Sequence, residues 1–336
     1  MPGDPERSPT PADRDRLLAR LARWRSPSPR VRGVLLVLAS AVTVAAVVLA
    51  VRGLDLAWSD LRLWPLVIAA LVATPLTIGL NAAELRATAL ATGADLDEVG
   101  WGRSLRTVVL ATAANLLPVP AGAALRVQVL HAAGARLTAA AGVQLSAAAV
   151  WIGMSLLLAG LVLLPGGGVV ASVGAGTIAL LGGFALVAAG LLGVRRTATS
   201  RPVAAASWLA LVELLTALLH AVRLWIVLLG IGVVASVGQA AVIATASPLA
   251  AAAGFFPGGI GLAELLSALL APLAGLSPAA GLLAVAVARL LGLAVTVPVA
   301  LALGLTDLVR RPPTLPDPAA SPEERADHEG RGEEPS

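Results

Sequence analysis

The sequence predicts an all-α, polytopic membrane helix bundle, and three observations carry that prediction. The 336 residues are 57% hydrophobic, with a mean hydropathy of +0.87, far above a soluble domain. Several apolar runs reach the ~20 residues a helix needs to cross a bilayer. Two further runs are interrupted by Pro and Gly, and in hydrocarbon such broken backbone persists only where it is buried in protein or lines a wet cavity.

Residues 1–32 hold eight Arg and six Pro and form a basic cytosolic arm. Leu17, Leu18, Leu21 and Trp24 fall on one helical face among Arg14, Arg16, Arg20 and Arg23. That pattern fits an interfacial helix on an anionic leaflet and equally a solvated arm that fixes topology. The membrane domain is expected over 33–305. Its first span is Gly33–Val51. The second runs from Leu63 to Ala82, kinked at Thr74-Pro75 because proline lacks the N–H. Trp58 and Trp64 flank the connection as interfacial anchors. Residues 83–103 are mixed polar and read as surface. Spans follow at Leu137–Leu164, Val169–Val194, Val203–Gly230 and Ser277–Leu305, the first two joined by the turn Pro165-Gly166-Gly167-Gly168. Residues 306–336 form a Pro-rich acidic tail, with seven acidic residues between 312 and 336, a composition too polar to pack.

The broken runs decide the topology. Ser104–Leu117 gives ~21 Å of helix, short of the ~30 Å hydrocarbon core. Asn115-Leu116-Leu117-Pro118-Val119-Pro120-Ala121-Gly122 ends it, and the apolar piece that follows is shorter still. Gly238–Ala253 and Gly261–Gly275 make a second half-length pair around Gly254-Phe255-Phe256-Pro257-Gly258-Gly259-Ile260-Gly261. Read as two re-entrant hairpins, these leave about six full spans, an eight-span-like arrangement with both termini cytosolic. Arg126, Arg136, Arg195, Arg196 and Arg201 then share the N-terminal side, and only Arg52 and Arg62 lie opposite, as the positive-inside rule asks. The hairpins enter from opposite faces, the pattern of inverted-repeat transporters; the repeat is topological, without sequence identity between halves.

Composition narrows the chemistry. There is no cysteine, and the three histidines, His131, His220 and His328, are far apart, so no metal site and no cofactor are expected. No nucleophile motif, phosphate-binding loop or carboxylate pair on one segment appears, which argues against an enzyme. The pI near 11.2 reflects arginines beside spans that touch anionic lipid, not nucleic-acid binding. All 24 basic residues are Arg, and Gly and Ala abound, a sign of GC-rich coding and a bacterial inner membrane.

The ionisable residues inside apolar segments are the site candidates, since each is costly there. Glu213, His220 and Arg223 share one face of a span. They read either as a polar stripe, with Arg223 on a phosphate and Glu213 or His220 relaying protons, or as a static ion pair of Arg223 with Glu264 or Glu213, or with Arg223 snorkelling to the interface. Arg289 sits mid-span and needs a partner. Glu264 is the nearest acid in sequence, and a headgroup contact is the other reading. Gly258, Gly259 and Gly261 precede a helix whose N-terminal N–H groups suit an anion. Asn115 either binds carbonyls freed at the first break or lines a path. Gln144 and Trp151, seven apart, read as packing.

The two broken stretches together resemble the flippase-like transmembrane domain of lysylphosphatidylglycerol synthases and its stand-alone relatives. Asn115, Pro118, Gly122 and Arg126 match an Asn-x-x-Pro…Gly…Arg segment; Pro257, Gly258, Gly259, Gly261 and Glu264 match Pro-x-Gly-Gly-x-Gly-x-x-Glu; Arg289 also fits. The resemblance covers residues 33–305. It departs at Ala123, where many relatives carry an acid. It implies movement of an anionic phospholipid or polyprenyl-phosphate between leaflets, with Arg126 and Asn115 joining the second motif as headgroup residues, and without the synthase half. The alternative is a lipid-binding scaffold for envelope-biogenesis enzymes that transports nothing. A membrane-embedded lipid transferase is the third reading and lacks a nucleophile.

Overall fold

The computed structural model describes Arg52 and residues 61–115, 121–164, 170–198, 201–253 and 261–310. Among them every regular element is a helix. We number these α1 (Leu63–Thr92), α2 (Trp101–Ala114), α3 (Ala121–Ala132), α4 (Leu137–Leu163), α5 (Val170–Thr197), α6 (Pro202–Gly230), α7 (Val237–Ala244), α8 (Ala246–Ala253), α9 (Leu262–Leu270) and α10 (Pro278–Arg310). Five of them, α1, α4, α5, α6 and α10, are long and apolar enough to cross a membrane. The expected span Gly33–Val51, the basic arm, Trp58, the Pro165–Gly168 turn and the tail after 310 lie outside the described residues. Helix α10 continues to Arg310, past the expected boundary at 305.

Helix α1 corrects the sequence reading. It does not stop at Ala82 but runs to Thr92, where Gly93 takes the left-handed conformation (φ 71°) and ends it. Residues 83–92 are therefore bundle interior and not surface: Glu84, Leu85, Ala87 and Ala91 are all buried. The expected disturbance at Thr74-Pro75 appears as a π-helical turn, Ala69–Ala73. Thr74 Oγ1 donates to the Ala69 carbonyl at 3.0 Å and Thr77 Oγ1 to Ala73 at 2.8 Å. These hydroxyls add side-chain bonds to the first and last carbonyls of the widened turn, just before Pro75, which has no N–H to give.

The described residues on either side of both broken stretches fold as half-length helices. The first pair, α2 and α3, packs closely, because Gly122 lies against Asn115 and a Cβ there would stand 2.5 Å from the Ala111 carbonyl oxygen. In the second, the expected single limb 238–253 is split at Thr245 into α7 and α8. Ser236 caps α7 in a reciprocal capping box with Gln239, whose Nε2 reaches the Ala274 carbonyl at 2.8 Å and closes the base of the pair.

Helix α6 is the hub, packed on α1, α4, α5, α7 and α10. Buried residues of α6, Leu224, Val227 and Leu228, meet Ile243 of α7, Ala263 of α9 and Leu283 of α10. Helices α4 and α5 pack along their lengths through glycines. A Cβ on Gly153 would lie 2.7 Å from the Gly183 carbonyl, on Gly160 2.9 Å from Gly176, and on Gly190 2.7 Å from Ser146. With Gly176, Gly183 and Gly190 seven apart, one flat stripe lets the two backbones touch. The outer faces are apolar: Leu71, Leu145, Ile178, Leu181 and Phe184 are all exposed. Such continuous apolar exposure suits hydrocarbon rather than water.

Candidate functional site

The interior holds a line of polar residues organised by α6. Glu213, Thr216, His220 and Arg223 follow at i, i+3, i+7 and i+10, so they share one stripe of the helix. From Glu213 to Arg223 it runs ~15 Å along the axis. Other elements bring residues to it at three levels.

At the Glu213 level, Arg126 of α3 donates Nη1 to both carboxylate oxygens of Glu84 on α1, at 3.0 and 2.9 Å. Gln144 Nε2 of α4 donates to the same Glu84 at 3.2 Å. Glu84 and Arg126 both act electrostatically on Glu213. Glu213 is 2% exposed and makes neither a hydrogen bond nor an ion pair with its side chain among the described residues. Both carboxyl groups are buried, and of the two it is Glu84 that pairs with the Arg126 guanidinium. Two expectations are corrected here. Arg126 is not a loop charge that sets topology, because burial beside Glu84 holds it inside the bundle. Gln144 is not mere packing, because it binds Glu84.

At the middle level, His220 Nδ1–H donates to the Thr216 carbonyl at 3.0 Å, an ordinary local helix bond. A carbonyl only accepts, so the other ring nitrogen is left as an acceptor. The imidazole meets Trp151 of α4, ring centres 5.7 Å apart and tilted by 58°. Trp151 Nε1, Thr216 Oγ1 and Gln144 Oε1 are closed off from solvent and have no hydrogen-bond partner among the described residues.

At the third level, Arg223 Nη2 donates to the Ala288 carbonyl of α10. It does not pair with Glu264 or Glu213: along α6 Glu213 is too distant, and Glu264 is taken. Arg223 Nε is buried and unpartnered. Gly292 makes room for this guanidinium, since a Cβ there would lie 2.9 Å from Nη2. Beside it, Arg289 Nη1 stands 2.9 Å from Glu264 Oε1 and donates to Oε2 at 3.3 Å. The shorter approach is an ion-pair contact without hydrogen-bond alignment. Gly261 N–H also donates to Glu264 Oε2 at 2.8 Å, with Gly261 at φ 82°, a conformation glycine adopts without strain. Donors at the α9 N-terminus and on Arg289 therefore converge on Glu264, and this end is neutralised internally.

The remaining candidates are spread. Asn115 caps the end of α2 through its backbone, is exposed, and packs on Gly122; its side chain makes no hydrogen bond among the described residues, so it does not serve the freed carbonyls. Gly258 and Gly259 lie outside the described residues. No group of His, Cys, Asp and Glu able to hold a metal occurs among the described residues. A shallow surface depression lined by Asp95, Asp97, Glu98 and Arg103 contains none of the stripe. The sequence reading missed Glu84, Thr216 and Gly292. The apolar periodicity continues without a breaker from Ala82 to Gly93 and carried the signal for Glu84; nothing in the sequence marked Gly292 as Arg223's neighbour.

Glu84 pairs with Arg126 and Glu264 with Arg289. Glu213 and Arg223 are left without an ion-pair partner among the described residues, at opposite ends of the stripe. Comparison with protein-family models, with curated proteins and with solved structures gives no match to this chain.

Proposed function

We propose that this chain is a multi-pass membrane protein that moves, or assists the movement of, a phosphate-bearing lipid between leaflets. The lipid is an anionic phospholipid or a polyprenyl-phosphate. The observation that carries this reading is Arg223, a guanidinium inside the bundle with no carboxylate partner and a free Nε, heading a line of unsatisfied polar groups. An interior guanidinium is costly to bury alone. A phosphate compensates it in the bidentate geometry that guanidinium favours, while the acyl or prenyl chains stay against the apolar outer faces.

The half-length pairs support the same reading, because discontinuous helices mark substrate sites in transporters. Taken as re-entrant hairpins entering from opposite faces, they give six full spans with both termini cytosolic and a topological inverted repeat. The family resemblance carried by Gly261, Glu264, Asn115, Gly122 and Arg126 points the same way. Within it, Glu264–Arg289 and Glu84–Arg126 tie half-helices to full spans, and Arg223 holds the phosphate.

The test is lipid movement in proteoliposomes. The full chain, reconstituted with fluorescently labelled phosphatidylglycerol, should expose inner-leaflet label to an impermeant quencher several-fold faster than protein-free vesicles. Equal rates for phosphatidylglycerol and for a labelled polyprenyl-phosphate in both vesicle types would sink transport and leave the scaffold reading.

A further inference from the structure

The stripe is longer than a phosphate needs. Arg223 alone would hold a phosphate, yet unsatisfied polar groups continue for ~15 Å toward Glu213. Their chemistry is mixed. Gln144 Oε1 accepts, Trp151 Nε1–H donates and Thr216 Oγ1 does both, and the buried Glu213 carboxyl stands at the far end of the stripe. Thr216 and Glu213 are each more than nine-tenths buried. Every unsatisfied buried group costs about 1–3 kcal/mol, and each asks for an explanation.

Their placement is selective. The α4–α5 interface is closed by glycines against backbone, and among the described residues none of the unpartnered polar atoms belongs to α5. On α4, Trp151 instead meets His220 of α6, and Gln144, on the same face, donates to Glu84 of α1. A hydroxyl both donates and accepts, so a run of hydroxyls matches a mixed set that neither a bare phosphate nor an acyl chain can satisfy. The Trp151 and His220 rings supply flat apolar faces in the same place, which suit the C–H faces of a sugar ring.

We propose that the α4–α6 seam binds a glycosyl-phosphate headgroup, with phosphate on Arg223 and sugar hydroxyls on Trp151, Thr216, Gln144 and Glu213. This rests on the lipid-phosphate reading above and names its substrate class. The unpartnered atoms of Gln144, Trp151 and Thr216 are closed off from solvent in this structure, so a headgroup reaches them only when the glycine-welded α4–α5 unit parts from α6.

The test uses the purified full chain in detergent, with binding measured for farnesyl phosphate, farnesyl phosphoryl-mannose and water-soluble mannose 1-phosphate. Wild type should bind farnesyl phosphoryl-mannose at least about tenfold tighter than farnesyl phosphate, the yield of roughly two neutral hydrogen bonds. The Thr216→Val/Trp151→Phe double variant should lose that preference while keeping wild-type affinity for farnesyl phosphate, which also shows that it is folded. Arg223→Gln should weaken both lipids. Equal wild-type affinities that still depend on Arg223 overturn the glycosyl assignment and leave the lipid-phosphate reading standing. Mannose 1-phosphate binding as tightly as the mannosyl lipid would reassign the site to a free sugar phosphate and overturn the lipid reading. Binding of none of the three probes overturns both.

Discussion

Removing Arg289 should unfold the second half-helix pair from α10, and the size of the effect follows from the contacts. Glu264 is 1% exposed and receives Arg289 at 2.9 Å and the Gly261 N–H at 2.8 Å. In Arg289→Met the carboxylate keeps its cap and loses its counterion. A buried pair broken on one side costs ~3–5 kcal/mol. Glu264→Gln keeps an amide oxygen for Gly261 and leaves Arg289, whose side chain is 19% exposed. That loss should be smaller, roughly 1–3 kcal/mol for an unmatched polar group. The double variant Glu264→Gln/Arg289→Met has no uncompensated charge, so it should be about 2 kcal/mol more stable than the two losses added together. Equilibrium unfolding of the detergent-solubilised protein by graded denaturing surfactant measures all four corners. Additivity within ~0.5 kcal/mol would refute the pair as a structural tie.

Other outcomes follow from the same geometry. Gly183→Ala puts a Cβ 2.8 Å from the Gly153 carbonyl and should cost ~1–3 kcal/mol as an overpacked contact, whereas Gly182→Ala meets open space and should be neutral or stabilising; paired thermal unfolding curves separate them. Gly122→Val should force α2 from α3 and lower the melting temperature more than Ala123→Val, one residue along. Arg126→Met leaves the buried Glu84 without its cation and should destabilise by ~3–5 kcal/mol, with Glu84→Gln as a second change recovering part of it. A cysteine placed at Ala198 in this cysteine-free chain should label with an impermeant maleimide only after the membrane is opened; labelling in intact cells would reverse the orientation.

The parts of this molecule legible in sequence were those set by length and by backbone chemistry. Apolar runs gave α4, α5, α6 and α10 to within a few residues, and Pro and Gly gave the half-length pairs. The Glu264–Arg289 contact was legible because an arginine in mid-span needs an acid and Glu264 was the nearest one. Sequence proximity then misled at Arg223, whose donor goes to a backbone carbonyl on α10, and Arg126 meets an acid 42 positions away that no local pattern indicated. Glu84 was misplaced because Arg86, Asp95, Asp97 and Glu98 made the whole stretch look solvated. Arg86 in fact folds back onto the Val99 carbonyl and the Trp101 ring, and the true boundary is the left-handed Gly93. The stripe of Glu213, His220 and Arg223 was legible in their spacing, but long-range pairing between helices has no local signature, so what α1, α3, α4 and α10 bring to that stripe emerges only when they are packed around it.

The central claim is that Arg223, and neither of the paired arginines, carries the phosphate. Lipid movement in proteoliposomes decides it when three folded proteins are compared with wild type: Arg223→Gln, Glu84→Gln/Arg126→Gln and Glu264→Gln/Arg289→Gln. The account predicts that Arg223→Gln falls to the protein-free rate while both pair-neutralised proteins keep moving the labelled lipid. Wild-type transport by Arg223→Gln, with transport lost in either pair-neutralised protein, would contradict it.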